Sequence, residues 1–147
     1  MREILFRGKR IDNDEWVEGY LCKSVVHNET FHQNVVVDTI EAYDGKSYLN
    51  IVFRNVHKNS IGQFTGLTDK NGKKIFEGDI VRDEYNGGIA WIAFLQQGCG
   101  WYLVFKNTDR RMGHRSRNSA YDNDLELEVI GNIHDNPELL GGSEDAQ

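Results

Sequence analysis

The sequence predicts a mainly β protein: N-terminal hairpins packed on a small C-terminal SH3-like barrel, followed by a short C-terminal helix. Three observations predict it. Apolar and polar residues alternate over short runs, the period of a half-buried strand. Turn signals such as Asp12-Asn13-Asp14, Asp44-Gly45, Asn71-Gly72 and Gly98-Cys99-Gly100 separate those runs, the spacing of a sandwich or barrel. Fifteen glycines stand against a single proline in 147 residues, a composition of tight turns rather than linkers. An α+β arrangement is the alternative.

The first run, Met1 to Lys9, sets Ile4 and Phe6 on one face and Leu5 and Arg7 on the other. Ile11 to Asp14 is turn chemistry, because Asn and Asp bond their own backbone and tolerate left-handed conformations. Glu15 to Lys23 resumes alternation, with Trp16, Glu18 and Tyr20 opposing Val17, Gly19 and Leu21. Together these read as a hairpin with an aromatic face. Ser24 to Gln33 is a loop or ragged strand. Asn34 to Glu41 and Ser47 to Val56 are β-rich and flank Asp44-Gly45, whose twist suits a two-residue hairpin turn. The polar run His57 to Ser60 then separates a front hairpin region, residues 1–60, from a rear barrel region, residues 61–147.

The densest motif, Ile61 to Arg82, reads as a joint, with Asn71-Gly72 as its turn and Gly78-Asp79 launching a strand. Rear strands are expected at Asp79 to Glu84, Ile89 to Gln96, Trp101 to Lys106 and Leu125 to Gly131. Ile89 to Leu95 is apolar on both faces, as a barrel interior requires. Asn107 to Asn123 is expected to be a long polar connection. Asn136-Pro137-Glu138 carries a cap residue, a first-turn proline and a first-turn acid, the signals of a short helix that Gly141-Gly142 should end.

A hydrophobic content of 39% is enough for a packed interior. No run approaches the ~20 apolar residues of a membrane helix, and no signal peptide is visible at the N-terminus. Cys22 and Cys99 are isolated and suit a reducing compartment, so a cytoplasmic location is expected. The net charge of −6 belongs to the tail. Eight acids and no Lys or Arg lie between Asp122 and Gln147, while residues 1–121 hold fifteen acids against seventeen bases.

Catalytic and metal chemistry find no constellation. The five histidines lack the short paired spacing of zinc ligands. Cys99 between two glycines specifies no base. Phosphate-cradling glycine motifs are missing. No enzyme activity and no cofactor are therefore expected. Two features invite partners. Lys106, Arg110, Arg111, Arg115 and Arg117 concentrate charge in the polar connection, either for nucleic acid or another anion, or for pairing with the acidic tail. Phe6, Trp16 and Tyr20 on the front hairpin offer more apolar area than one ribbon hides, for the rear barrel or for another copy of the chain.

Three blocks, ILFRGKRIDNDEWVEGYL at 4–21, GQFTGLTDKNGKKIFEGDIV at 62–81 and EVIGNIHDNPELL at 128–140, resemble the YopX family of phage and prophage proteins in that family's order. The resemblance implies a phage-derived cytoplasmic protein that forms a homo-oligomer, and it supplies no catalytic or binding residues. The expectation is a non-enzymatic binding or assembly module, with a nucleic-acid-associated module using Arg110–Arg117 as the alternative.

Overall fold

The computed structural model describes residues 3–25, 32–42, 49–84, 87–112 and 126–145. The chain is mainly β and divides into two compact units, Met1–Phe64 and Thr65–Gln147. The division falls inside a strand.

In the first unit, β1 (Phe6–Lys9), β2 (Trp16–Val25), β3 (His32–Ala42) and β4 (Leu49–Asn55) form an antiparallel meander. The start of β5 (Gly62–Thr68) returns to lie antiparallel to β1, giving the order β4-β3-β2-β1-β5. The β1–β2 turn forms as its composition dictates. Asp14 adopts φ +59°, and the Asn13 side chain accepts a hydrogen bond from the Glu15 amide at 2.9 Å. A 3-10 turn at Lys58–Ser60 ties the end of β1 in place. The Lys9 amide donates to Ser60 Oγ at 2.8 Å, and the His57 amide donates to the Lys9 carbonyl at 2.8 Å. Gly8 is obligatory here, since a Cβ would lie 2.9 Å from Val56. The Asp44-Gly45 turn lies outside the described residues.

In the second unit, the remainder of β5 lies beside β6 (Lys74–Phe76). A five-stranded antiparallel sheet follows: β7 (Asp79–Asp83), β8 (Ile89–Leu95), β9 (Gly100–Val104), β10 (Asp109–Arg111) and β11 (Leu127–Asn132), in the order β10-β9-β8-β7-β11. Helix α1 (Glu138–Asp145) closes the chain. Ile75, Val81, Ala90, Ile92, Leu103, Met112 and Leu127 form the core of this small barrel-like unit.

Two expectations change. Asp109–Arg111 is a strand paired with Val104, Leu103 and Tyr102, not part of a loop. Its polar sequence conceals it, because its order comes from the neighbouring strand rather than from its own propensity. Helix α1 also runs through Gly141-Gly142 to Asp145 instead of stopping there. Before the helix, Asn136 Oδ1 accepts from the Asn132 amide at 3.2 Å.

Asp69 and Gly78 organise the central stretch. The Asp69 carboxylate is buried at 3% exposure. It accepts from the amides of Asn71 at 2.8 Å, Lys73 at 2.9 Å and, across the unit, Val129 at 2.9 Å. Burial opposes its ionisation, but the three N–H donors together with the nearby Lys73 charge outweigh burial and hold its pKa below the usual carboxylate range. Gly78 sits at φ +91°. Its amide donates to the Ile92 carbonyl at 2.8 Å, and its carbonyl accepts from the Ile133 amide at 2.8 Å. Beside it, the buried Asp79 carboxylate closes the turn by accepting from the Phe76 amide at 2.7 Å.

Gly78→Val is expected to cost the second unit about 1–3 kcal/mol from the disfavoured φ alone, read as a lower urea midpoint with unchanged cooperativity. Asp69→Asn is expected to cost about 1.5–3 kcal/mol at pH 7. Because the folded-state pKa is depressed, this contribution is whole above the unfolded value of about 4 and fades as pH falls through the folded value. Urea unfolding at pH 7 and pH 3 should therefore show the gap between wild type and Asp69→Asn narrowing in acid.

Candidate functional site

Within the second unit, the β9–β10 hairpin and α1 enclose a groove of about 700 Å³. Ile89 at the start of β8, Phe105 after β9 and Leu139 and Leu140 on α1 supply its apolar walls. Lys106 and Arg110 supply cations, and Asp109 borders the same turn. A hollow of about 300 Å³, lined in part by Ile89, Phe105, Lys106 and Leu140, reaches Trp91 and Val104.

Local sequence places each wall. The Phe105 amide donates to the Thr108 carbonyl at 2.8 Å, closing the tight turn that carries Lys106. Asn132 Oδ1 accepts from the amides of His134 at 3.0 Å and Asp135 at 2.9 Å, reversing the chain after β11. Gly131 then lets the start of α1 come close. A Cβ there would lie 2.6 Å from Asn136 Oδ1 and 3.0 Å from Leu139 Cδ1.

Arg110 shares the core face of the sheet with Leu103, its cross-strand neighbour. Its Nη1 lies 3.0 Å from Asp83 Oδ2, in a pair whose side chains are 35% and 2% exposed. The guanidinium carbon sits 5.6 Å from the Phe105 ring centroid. Nη2 of Arg110 is buried and finds no hydrogen-bond acceptor among the described residues. Arg111, one residue on, faces the other way. Its Nη1 donates to the Gly98 carbonyl at 2.7 Å, and its guanidinium lies 5.9 Å from the Tyr102 ring centroid. The five cations singled out from the sequence are thus not one patch: Lys106 and Arg110 share the groove, Arg111 braces the β8–β9 turn, and Arg115 and Arg117 lie outside the described residues.

In the first unit, Lys9 pairs with Trp16, Arg7 with Glu18 and Phe6 with Gly19. Cross-strand partners share a face, so Trp16 and Tyr20 stand with Arg7, Lys9 and Glu18, while Phe6 points to the opposite side. Arg7 stacks 4.7 Å from the Trp16 ring centroid and Lys9 5.9 Å from it. Tyr20 is 58% exposed. The exposed Cys99 occupies its turn at φ +51°. Among the described residues, no group of three or more His, Cys, Asp or Glu side chains could hold a metal ion. No helix there is long and apolar enough to cross a membrane.

The sequence reading missed the groove walls. Ile89 and Phe105 read as strand residues and Leu139-Leu140 as an ordinary helix face; the one available signal was that Leu139-Leu140 closes the third block, directly after the Asn-rich turn.

The YopX protein family matches residues 5–141 of the chain. The crystal structure of protein EF1440 from Enterococcus faecalis is similar over 95% of this chain and 99% of its own, at 26% identity and a TM-score of 0.61. The search of curated proteins gives no significant match.

Arg110→Met is expected to remove the cation beside the buried Asp83 carboxylate and lower stability by about 1.5–3 kcal/mol. Asp83→Asn in the same background should recover part of that loss, as read by urea unfolding of the single and double variants.

Proposed function

This chain belongs to the YopX family, and from that premise we propose that it is a non-enzymatic binding and assembly module of phage origin, working as a homo-oligomer in the host cytoplasm. The observation that carries the reading is the face of β1 and β2. It sets the half-buried Trp16 and the exposed Tyr20 among charges of both signs, Arg7 and Lys9 against Glu18. A two-fold contact brings a surface patch against its own copy, so each residue must meet a complement supplied by the same patch. A face with aromatic area and both signs of charge meets that condition, around aromatic side chains that water leaves on association.

Light scattering of the purified protein is expected to give a stable multimer at micromolar concentration, and Tyr20→Glu is expected to shift it to single chains without lowering the unfolding midpoint. A clean wild-type monomer overturns the assembly reading. The competing outcome is oligonucleotide binding that weakens with added salt and with Arg111→Ala and Arg115→Ala combined, which would replace assembly with nucleic-acid association.

A further inference from the structure

We propose that Asn71-Gly72 is a site of self-modification gated by the fold: the Asp69 turn keeps it intact, and opening of that turn commits Asn71 to deamidation. The inference does not depend on the assembly reading.

The dipeptide sets the chemistry. Once solvent hydroxide has taken its proton, the Gly72 amide nitrogen attacks the side-chain carbonyl carbon of Asn71. The new C–N bond closes a succinimide ring, and the side-chain amide nitrogen leaves as ammonia. Water then opens the ring at either carbonyl, leaving aspartate or isoaspartate at position 71. Glycine favours the attack because no Cβ shields its nitrogen. The surroundings are open as well, since even a Cβ built at Gly72 would meet nothing within 4 Å. Asn71 and Gly72 are both exposed, so hydroxide and water reach them.

The fold supplies the restraint. Gly72 holds φ +81°, and its amide donates to the Asp69 carbonyl at 3.0 Å, so the proton that must leave is engaged. The amides of Asn71 and Lys73 donate to Asp69 Oδ1 at 2.8 and 2.9 Å. The Asp69 amide donates to the Lys73 carbonyl at 2.8 Å, and the Lys70 amide to the Leu127 carbonyl at 2.9 Å. Every amide from Asp69 to Lys73 is therefore hydrogen-bonded. Carrying the Gly72 nitrogen onto the Asn71 side chain rotates the backbone between them and breaks these bonds. Reaction waits on local opening.

Either product works against reclosure. A carboxylate at position 71 brings negative charge close to the Asp69 carboxylate, which accepts that residue's own amide. Isoaspartate also inserts an extra backbone carbon into the turn, displacing the Gly72 and Lys73 amides from Asp69. Because Asp69 also receives the Val129 amide at 2.9 Å, the change reaches the junction with β11.

The test follows the full-length protein in mildly alkaline buffer by mass spectrometry of proteolytic peptides. Peptide mapping separates residue 71 from Asn86-Gly87, the other Asn-Gly pair of the chain. Conversion of the amide to a carboxylate at residue 71 is expected to run about tenfold or more faster in denaturing urea than in native protein. Gly72→Ala, compared in urea where the fold plays no part, should slow it. Asp69→Asn, shown to be folded by its own urea transition, should speed the native reaction at residue 71 and leave the rate in urea unchanged. Deamidated wild type should unfold at a lower urea midpoint than intact protein. Equal rates in native and urea-unfolded wild type overturn the gate. No conversion at residue 71 in urea overturns the site, and an unchanged midpoint after deamidation overturns its reach to β11.

Discussion

The second unit depends on one carboxylate. Asp69 gathers three backbone amides, two from its own turn and one from Val129 on the last strand. Beside it, the Lys70 amide donates to the Leu127 carbonyl at 2.9 Å, so β11 is held to the β5–β6 turn by two adjacent contacts. A carboxylate this deeply buried loses its water, and only the donors it collects make that tolerable. Gly78 forms the companion joint, bonding β8 through its amide and the segment after β11 through its carbonyl. The central and C-terminal sequence blocks, far apart in the chain, are therefore two halves of one junction. Their density of Gly, Asn and Asp reflects backbone geometry: left-handed φ at Gly72 and Gly78, a carboxylate hub at Asp69, and an Asn-bonded turn at Asn132.

Much of this was legible in the sequence, for identifiable reasons. β7, β8, β9 and β11 announce themselves through apolar alternation bounded by glycine or Asn-Gly signals, and the fold class follows from them. β5 and β10 do not. Gly62 and Gly66 dilute the strand pattern of β5, and β10 is Asp-Arg-Arg, whose pairing is imposed by β9. Helix α1 was legible at its start and not at its end, because two glycines that ordinarily stop a helix are carried through it here. The aromatic face of the front hairpin was half legible: Trp16 and Tyr20 share it, but register places Phe6 on the reverse. Register depends on which residues meet across the turn, and the sequence alone did not settle that.

The arginine cluster shows why proximity in sequence misleads on a strand. Adjacent residues of β10 face opposite sides, so Arg110 and Arg111 serve different neighbours although they are consecutive. Arg110 answers a demand made by β7, where Asp83 is carried into the interior face of the sheet and needs a cation within reach. Arg111 answers a demand made by the Gly98-Cys99-Gly100 turn, whose Gly98 carbonyl takes its hydrogen bond. Both are structural debts first. What distinguishes Arg110 is burial: its Nη2 is covered and stays without an acceptor among the described residues.

Helix α1 links that groove to the rest of the unit. Eight residues are too few to hold a helix in isolation, and each of Gly141 and Gly142 costs about 1 kcal/mol relative to alanine in a helix interior. Its order must therefore come from where it is anchored: the Asn132–Asn136 turn at its start, the close approach over Gly131, and the packing of Leu139 and Leu140 toward β8. Leu139 and Leu140 are also walls of the groove, so the same two side chains fix the helix and shape the site. The two glycines leave α1 weak on its own, so those anchors decide how firmly it is held.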